Sequence, residues 1–286
     1  MITFIISLIA LIAGYFIYGR YVEKVFSPDD RPTPAISKYD GVDYLVLPNW
    51  KIFMIQFLNI AGTGPIFGAI MRMWYGQSAY LWIAFGCIFA GAMHDYLSGM
   101  LSVRHDGAAL PEIVGTYLGK KIQNVMMVFS ILLLVMVGAV FVLSPASLLA
   151  SLFEGTLLND LLLWIVIIFG YYIIATLMPI DKIIGKIYPL FAFSLIFMAI
   201  GLLIMLFVHF PDIPEIWDGL GNMGESRLGM TNYDPLFPAL FITIACGAIS
   251  GFHATQSPLM ARCMKSERQG RPIFYGTMIT EGLIAL

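Results

Sequence analysis

The chemistry open to this sequence rests mainly on polar side chains inside long apolar stretches. His94 and Asp95 lie side by side in one stretch, His253 lies in a second and Glu281 lies in a third. Histidine can titrate near neutral pH, and ionisable residues within a membrane span usually face an interior or an aqueous path. We therefore consider these residues, with Thr255, as carriers of a coupling ion. The alternatives are a structural pair for His94 and Asp95, and a packing histidine for His253.

Two glycine-rich breaks interrupt apolar stretches. The first is Gly62-Thr63-Gly64-Pro65, near the middle of 51–73, and the second is 247–251, within 236–260. Proline inside a helix removes a backbone hydrogen bond and clashes with the preceding turn. Secondary transporters often pair two discontinuous helices, whose half-helix N-termini bind an anionic group while freed carbonyls bind a cation. The pairing predicts a small-molecule site between the breaks; the alternative is a pair of unrelated kinks.

The predicted substrate site combines both breaks with the polar residues beside them. Pro65 suits the first position of a helix, which leaves the amides of 66–68 available for a carboxylate. The predicted substrate-binding residues are Gln56, Asn59, Gly62, Thr63, Gly64, Pro65, Ser250, Gly251, Phe252, His253 and Gln256. The predicted ion-coupling residues are His94, Asp95, Thr255 and Glu281. Side-chain oxygens of Asn59, Thr63 and Ser250 would also suit sodium, so both a proton and sodium remain open.

The composition indicates that membrane-spanning helices position these residues. Of the 286 residues, 59% are hydrophobic and 12% are charged, against about 45–50% and about 25% in soluble domains. A bilayer core needs about 20 apolar residues per helix. Spans are predicted at 2–18 (A), 51–73 (B), 78–100 (C), 125–153 (D), 161–178 (E), 188–209 (F), 236–260 (G) and 273–286 (the opening of H). Span H is too short to cross a bilayer, so we expect the second half of the fold to be incomplete here.

The distribution of lysine and arginine predicts the orientation of the spans. All of them except Arg72 and Arg227 lie in or beside the A–B, C–D and E–F connections or after span G. Cytoplasmic loops retain positive charge, so the N-terminus is predicted outside and span A is a retained anchor. Span B then runs outward and span G inward, five spans apart. An odd separation inverts topology, as in the inverted repeats of transporters.

Several classes of protein lack support in the sequence. There is no P-loop, no H-E-x-x-H motif and no nucleophile elbow in a strand context, which argues against an ATPase, a metalloprotease and a serine hydrolase. The formal charge of −2 with no basic run argues against nucleic-acid binding. We expect no metal site, no cofactor and no enzyme activity. A channel and a membrane nutrient sensor with a transporter-like core remain the alternatives to a transporter.

Four strings carry a resemblance to a known family. They are IAGTGPIFGAI (60–70), AGAMHDYLSGMLSVRHDG (90–107), PEIVGTYLG (111–119) and GAISGFHATQSPLMARC (247–263). Together they resemble the carbon starvation protein CstA family, from residue 40 through residue 281. The resemblance implies a bacterial inner-membrane carrier for peptides and pyruvate during nutrient limitation, distantly related to the APC superfamily with its LeuT-like fold. It also implies that Gly62–Pro65 and Ser250–His253 are signature segments, and it favours Asp95 over His94.

The combined prediction is an all-α polytopic membrane protein with a LeuT-like inverted-repeat bundle. A peripheral helix is expected at 1–20, a first five-helix repeat at 50–210 and the start of an inverted second repeat at 233–286. The protein would lie in the bacterial inner membrane, with the lipid bilayer and a small molecule as its partners. It would import a carboxylate-bearing nutrient, peptides or pyruvate, by alternating access coupled to a proton or sodium gradient.

Overall fold

The computed structural model describes most of the chain. The described residues are 1–62, 64, 75–156, 158–177, 184–213, 215–220, 237, 240–241, 244–245, 249 and 251–286. Of the predicted site residues, Thr63, Pro65 and Ser250 lie outside the described residues, as do the amides of 66–68. Within these ranges every regular element is helical.

Twelve α-helices lie in the described part of the chain, most of them within the predicted spans. They are α1 (Ile2–Phe16), α2 (Tyr18–Phe26), α3 (Pro34–Ser37), α4 (Asn49–Ala61), α5 (Ser78–Phe85), α6 (Ala92–Arg104), α7 (Leu110–Leu118), α8 (Lys120–Leu152), α9 (Leu161–Leu177), α10 (Ile184–His209), α11 (His253–Ala261) and α12 (Gly276–Ala285). Short π-helical turns cover Gly86–Gly91 and Arg271–Tyr275, and short 3₁₀ turns cover Ile216–Asp218 and Glu267–Gln269.

Three of the described helical segments are long and apolar enough to cross a membrane. They are Ile2–Phe26, Lys120–Leu152 and Tyr188–His209, with mean hydropathies of 2.2, 2.9 and 2.8. They coincide with spans A, D and F, and the shorter apolar helix Leu161–Leu177 coincides with span E. Spans A and D extend further than predicted, to Phe26 and back to Lys120. The predicted spans stopped short of these ends because lysine and arginine lower the hydropathy there. Both residue types nevertheless favour helix, so the helices continue through them.

Span C forms one helical run through a π-helical turn. The helices α5 and α6 join without a break through Gly86–Gly91. A π turn disturbs the regular hydrogen-bond ladder of a helix, and such turns are frequent at functional sites. The Tyr275 hydroxyl donates a hydrogen bond of 2.9 Å to the carbonyl of Ile88 within this turn. The second π turn, at Arg271–Tyr275, therefore supports the first.

The predicted breaks coincide with two helix ends. Helix α4 ends at Ala61, and Gly62 follows with φ of 51°, a left-handed conformation that favours glycine. Helix α11 begins at His253, directly after Gly251 and Phe252. The described part of span B therefore precedes its break, and α11 follows the break of span G. The two half-helices pack against each other.

Small residues on span C allow close approach of other helices. A Cβ atom added to Gly99 would lie 2.5 Å from the ring of Phe274, and one added to Gly91 would lie 2.7 Å from the Met278 side chain. Five residues spaced three or four apart on span C form a stripe beside this packing surface: Ala84, Cys87, Gly91, His94 and Ser98. Close packing against α12 explains the small residue at Gly91. A polar contact explains the histidine at position 94.

The chain divides into two compact units, Met1–Ala108 with Ile187–Leu286, and Ala109–Lys186. In the first unit, Phe57 and Ala61 of α4 pack with Ala192 of α10.

In the second unit, Pro145 lies inside α8 and cannot donate to the carbonyl of Phe141. The Tyr172 hydroxyl of α9 donates to that carbonyl instead, at 3.0 Å. A long helix thereby tolerates its proline.

The connection between α2 and α4 is ordered rather than a solvated linker. Its anchor is Glu267, a fully buried carboxylate. Arg104 donates two hydrogen bonds of 3.1 Å to Glu267, and the backbone amide of Asp29 donates another of 3.0 Å. Arg31 pairs with Asp29 and lowers the pKa of that carboxyl well below its usual value. These contacts join the connection to the end of α6 and to the segment that follows α11.

Candidate functional site

A buried hydrogen-bonded cluster around Asp95 joins three helices. The Asp95 carboxyl group accepts from the Gln56 side-chain amide, at 3.1 and 3.3 Å to its two oxygens, and from the Ser257 hydroxyl. The Gln56 amide also lies 3.0 Å from the Ser257 oxygen. All three side chains are inaccessible to solvent, at 0% exposure. We call Gln56, Asp95 and Ser257 the polar hub.

Each residue of the polar hub comes from a different helix, and two of these helices border the breaks. Gln56 lies in α4 before the break at Gly62, and Ser257 lies in α11 after the second break. Asp95 lies near the start of α6, just beyond the π turn. The Thr277 hydroxyl of α12 lies near the Asp95 carboxyl and donates to the carbonyl of Ile273, at 2.6 Å. A single carboxyl group therefore links the elements that border both breaks.

The hydrogen bonding indicates the charge on Asp95. Burial of an isolated charge is costly, whereas a carboxylate that accepts several hydrogen bonds is stabilised in place. Gln56 and Ser257 both donate to Asp95, and each of these donors is itself buried. This donor set matches an ionised carboxylate. The arrangement supports a fixed negative charge at the centre of the polar hub.

Two histidines form a second contact between the same helices. His94 Nδ1 of α6 lies 2.7 Å from His253 Nε2 of α11, and the rings meet edge to face with centroids 4.8 Å apart. A hydrogen bond between two imidazoles requires one nitrogen to donate and the other to accept. His253 is buried, whereas His94 keeps an exposed edge. The pair therefore leads from an accessible surface to the interior.

Helix periodicity explains why the two contacts lie side by side. His253 and Ser257 are four residues apart and share one face of α11. The Ser257 hydroxyl also lies 2.7 Å from the carbonyl oxygen of His253. His94 and Asp95 are adjacent in α6 and contact His253 and Ser257, respectively. Polar side chains therefore form this contact between α6 and α11.

Glu281 occupies a different environment from Asp95. It lies in α12 with 0% exposure, and neither of its carboxyl oxygens has a hydrogen-bond partner among the described residues. It interacts electrostatically with Asp95 and with Cys87. Glu281 therefore lies inside the protein, and its role as an ion-coupling residue stays a prediction. Its electrostatic neighbour, which the sequence did not indicate, is the Asp95 carboxyl group.

Other predicted site residues lie outside the polar hub. The Thr255 hydroxyl donates to the carbonyl of Phe252, at 2.9 Å, within its own helix start. Asn59 and Gln256 are partly exposed. Gly251 is exposed, and a Cβ atom added there would meet no atom within 4 Å. Gly64 is buried.

The structure assigns Gln56 a partner that sequence reasoning did not foresee. Gln56 was predicted to bind substrate, and in the structure its amide binds Asp95 and Ser257. Ser257 and Thr277 were absent from the predicted site. The spacing of four from His253 was the available signal for Ser257, whereas nothing in the sequence marked Thr277.

The described residues contain no group of three or more His, Cys, Asp and Glu side chains placed to hold a metal ion. The polar hub and the histidine pair instead offer hydrogen-bonding and proton-binding groups. All-helical architecture, apolar helices of spanning length and a buried polar cluster between broken helices together define a polytopic membrane protein.

The chain belongs to the carbon starvation protein CstA family, which it matches over residues 1–157 and 149–286. It is 46% identical to an uncharacterized membrane protein of Haemophilus influenzae, over all of this chain and 89% of that protein. It is 27% identical to the peptide transporter CstA of Escherichia coli, over 98% of this chain and 48% of that protein. The pyruvate/proton symporter BtsT of Escherichia coli is 26% identical, over 98% of this chain and 47% of that protein. No solved structure matches the chain.

The named relatives are transporters and not enzymes, as the sequence predicted. The chain spans about half the length of these transporters. The alignment with the Haemophilus influenzae protein covers 332 positions, although this chain has 286 residues. That relative therefore contains internal positions without a counterpart here. The two family matches overlap at 149–157, which covers the end of α8 and part of the connection to α9.

Proposed function

We propose that this chain forms part of a secondary active transporter that imports a small carboxylate-bearing nutrient, such as a peptide or pyruvate, together with a proton. The substrate would bind beside the ends of α4 and α11, near Gly62 and the segment Gly251–His253. Transport would proceed by alternating access of a LeuT-like inverted-repeat bundle. The membrane would be the bacterial inner membrane, with the N-terminus outside.

The polar hub is the observation that carries this proposal. Alternating access requires contacts between helices that exist in one state and are lost in another. Asp95 joins α4 and α11 through Gln56 and Ser257, and α4 and α11 border the two breaks. A charge or proton arriving at this buried cluster changes the free energy of the contact between the two half-helices. Substrate and ion occupancy would in this way be linked to helix movement.

The substrate class follows from the position of α11. Its first residue is His253, directly after the break, and a helix N-terminus favours negative charge. Both kinds of substrate in the names of the relatives, peptide and pyruvate, carry a carboxylate. The exposed edge of His94 and the open space at Gly251 provide access to this end. A carboxylate would therefore bind at the start of α11.

The choice of a proton rests on the side chains that line this region. Two histidines in contact, a hydrogen-bonded carboxylate and a carboxyl group without a hydrogen-bond partner among the described residues are all groups that bind protons. One relative is named a pyruvate/proton symporter. The orientation follows from the distribution of lysine and arginine, which accumulate in cytoplasmic loops.

The test is uptake by proteoliposomes that contain the whole chain. Labelled pyruvate and a labelled short peptide are supplied separately, each under an imposed proton gradient, an imposed sodium gradient or no gradient. Accumulation of either substrate above its external concentration under the proton gradient alone supports the proposal. Accumulation under the sodium gradient alone overturns the choice of ion. Equilibration without accumulation indicates a channel, and ligand protection against heat without any uptake indicates a sensor.

A further inference from the structure

The core of this chain contains two buried carboxyl groups, Asp95 and Glu281, with opposite hydrogen-bonding environments. Asp95 accepts hydrogen bonds from Gln56 and Ser257, whereas neither oxygen of Glu281 has a hydrogen-bond partner among the described residues. Both side chains are fully buried. Glu281 is therefore a titratable group whose burial is unexplained by any structural contact that the described residues provide.

Among the described residues, no positively charged group interacts with Glu281, and Arg271 of the second π turn pairs with Glu23 instead. Helix α12 packs against α1, α4, α5, α6 and both π turns. The titratable groups that interact with Glu281 are Asp95 of α6 and Cys87 of the first π turn, and both are acidic. The next residue along, Gly282, faces Cys87 and Leu11 of α1, and α4 contributes the uncharged Gln56 to this region. In the described part of the chain, the groups near the carboxyl group of Glu281 are thus acidic or neutral.

Elementary electrostatics decides which carboxyl group is charged. An ionised carboxylate in an apolar interior without hydrogen bonds is very costly, and two neighbouring buried carboxylates cannot both ionise cheaply. The charge therefore resides on the group that has donors, which is Asp95. Glu281 then carries a proton. An uncharged carboxylic acid needs no ammonium or guanidinium partner, in agreement with its surroundings.

We propose that Glu281 is the residue that binds and releases the coupled proton, while Asp95 stays ionised as the fixed centre of the polar hub. Release breaks the Oε–H bond of Glu281 and transfers the proton to a water molecule that enters when α12 separates from α6. The reverse reaction, from a hydronium ion on the opposite side of the membrane, restores the acid. This inference rests on the proposed function and assigns its coupling step to one side chain.

The protonation state can be measured without any transport. Infrared spectra of the purified chain at neutral pH, in light and heavy water, are compared for the wild type, Glu281→Gln, Asp95→Asn and Glu154→Gln. Glu154 is exposed and provides the matched control. We expect a carbonyl band of a buried, protonated carboxylic acid in the wild type that Glu281→Gln removes and the other two variants keep. A band that survives in Glu281→Gln, or no such band in the wild type, overturns the inference.

Transport assays then test the coupling role. Glutamine has the shape of a protonated glutamate, so Glu281→Gln is expected to fold with a thermal midpoint close to that of the wild type. We expect it to lose accumulation driven by a proton gradient while it retains exchange of labelled for unlabelled substrate. Accumulation at the wild-type level in Glu281→Gln overturns the assignment. If Glu281→Gln fails to fold, Glu281→Asp replaces it, and a normal pH dependence of its uptake has the same meaning.

The two proposals fail in distinguishable ways. If the wild type transports no substrate, the proposed function is wrong, and the infrared bands still decide whether Glu281 holds a proton. If the wild type couples uptake to the proton gradient and Glu281→Gln does so equally, only the assignment of the proton to Glu281 is wrong.

Discussion

His94 Nδ1 and His253 Nε2 lie 2.7 Å apart and join α6 to the first residue of α11. One imidazole must donate its N–H to the other, so the contact exists with one shared proton. If both rings were protonated, two positive charges would face each other without an acceptor. The contact between these two histidines joins the continuous helix α6 to the half-helix α11. This contact is therefore sensitive to protonation.

We predict that the two histidines act as one unit. His94→Ala and His253→Ala are each expected to destabilise the protein, and the double variant is expected to be little worse than the more damaging single variant. Residues in direct contact show coupling energies of about 0.5–3 kcal/mol in such cycles. Thermal unfolding of the four proteins provides the measurement. The control cycle pairs His94→Ala with His209→Ala on α10, which bonds only within its own helix. Additive effects of the two histidine substitutions would contradict the prediction.

Ser257→Ala tests the hydrogen bond that fastens α11 to Asp95. Loss of a buried donor to a charged acceptor leaves the carboxylate short of a partner, at a cost of about 1–3 kcal/mol. The control is Ser147→Ala on α8, where the serine is exposed and bonds within its own helix. We expect that control to change stability by less than about 0.5 kcal/mol. Equal thermal midpoints for the two variants would show that Ser257 is not structural.

Gly99→Ala tests the close packing of α6 against the second π turn. The added methyl group would lie 2.5 Å from the Phe274 ring, and overpacking of a core costs about 1–3 kcal/mol. The matched control is Gly138→Ala in α8, where a Cβ atom meets nothing within 4 Å. Alanine is the better helix former, so that change should be neutral or stabilising. The combination of Gly99→Ala with Phe274→Leu is expected to regain stability, and a failure to do so would argue against the contact.

Glu267→Gln tests the anchor of the connection between α2 and α4. Removing one partner of a buried ion pair costs about 3–5 kcal/mol, because Arg104 keeps a charge without its acceptor. Asp30→Asn removes a comparable but exposed pair with Arg268, which is worth about 0–1 kcal/mol. Hydrogen exchange of the backbone amides at 27–33 should therefore accelerate strongly in the first variant and hardly in the second. Similar exchange in both variants would show that Glu267 is not the anchor.

The apolar stretches predicted the helices well, because a membrane span depends mostly on local composition. The helix end at Gly62 also followed from its own sequence, since glycine accepts a left-handed conformation there. The polar hub did not follow in the same way. Gln56 and Asp95 are 39 positions apart, and Gln56 and Ser257 are 201 apart. No local pattern specifies which of several buried polar groups meet over such separations.

The inverted repeat remains a prediction for a related reason. It was argued from the separation of five spans from B to G. Any additional spans among the internal positions that the Haemophilus influenzae relative has and this chain lacks would change the corresponding count in that relative. An even number of additional spans would preserve the inversion, because B and G would still run in opposite directions. The pairing of α4 with α11 holds independently of that count.

Proton-driven uptake by Asp95→Asn tests the central claim most directly, with Asp43→Asn as the control because Asp43 is exposed. Hydrogen bonds to a charged group are worth about 1.5–3 kcal/mol, and about 1.4 kcal/mol corresponds to tenfold. For equal amounts of folded protein, we expect Asp95→Asn to accumulate labelled pyruvate or peptide at least about tenfold more slowly. The Asp43→Asn variant should match the wild type. Uptake by Asp95→Asn at the wild-type rate would contradict the role of the polar hub in transport.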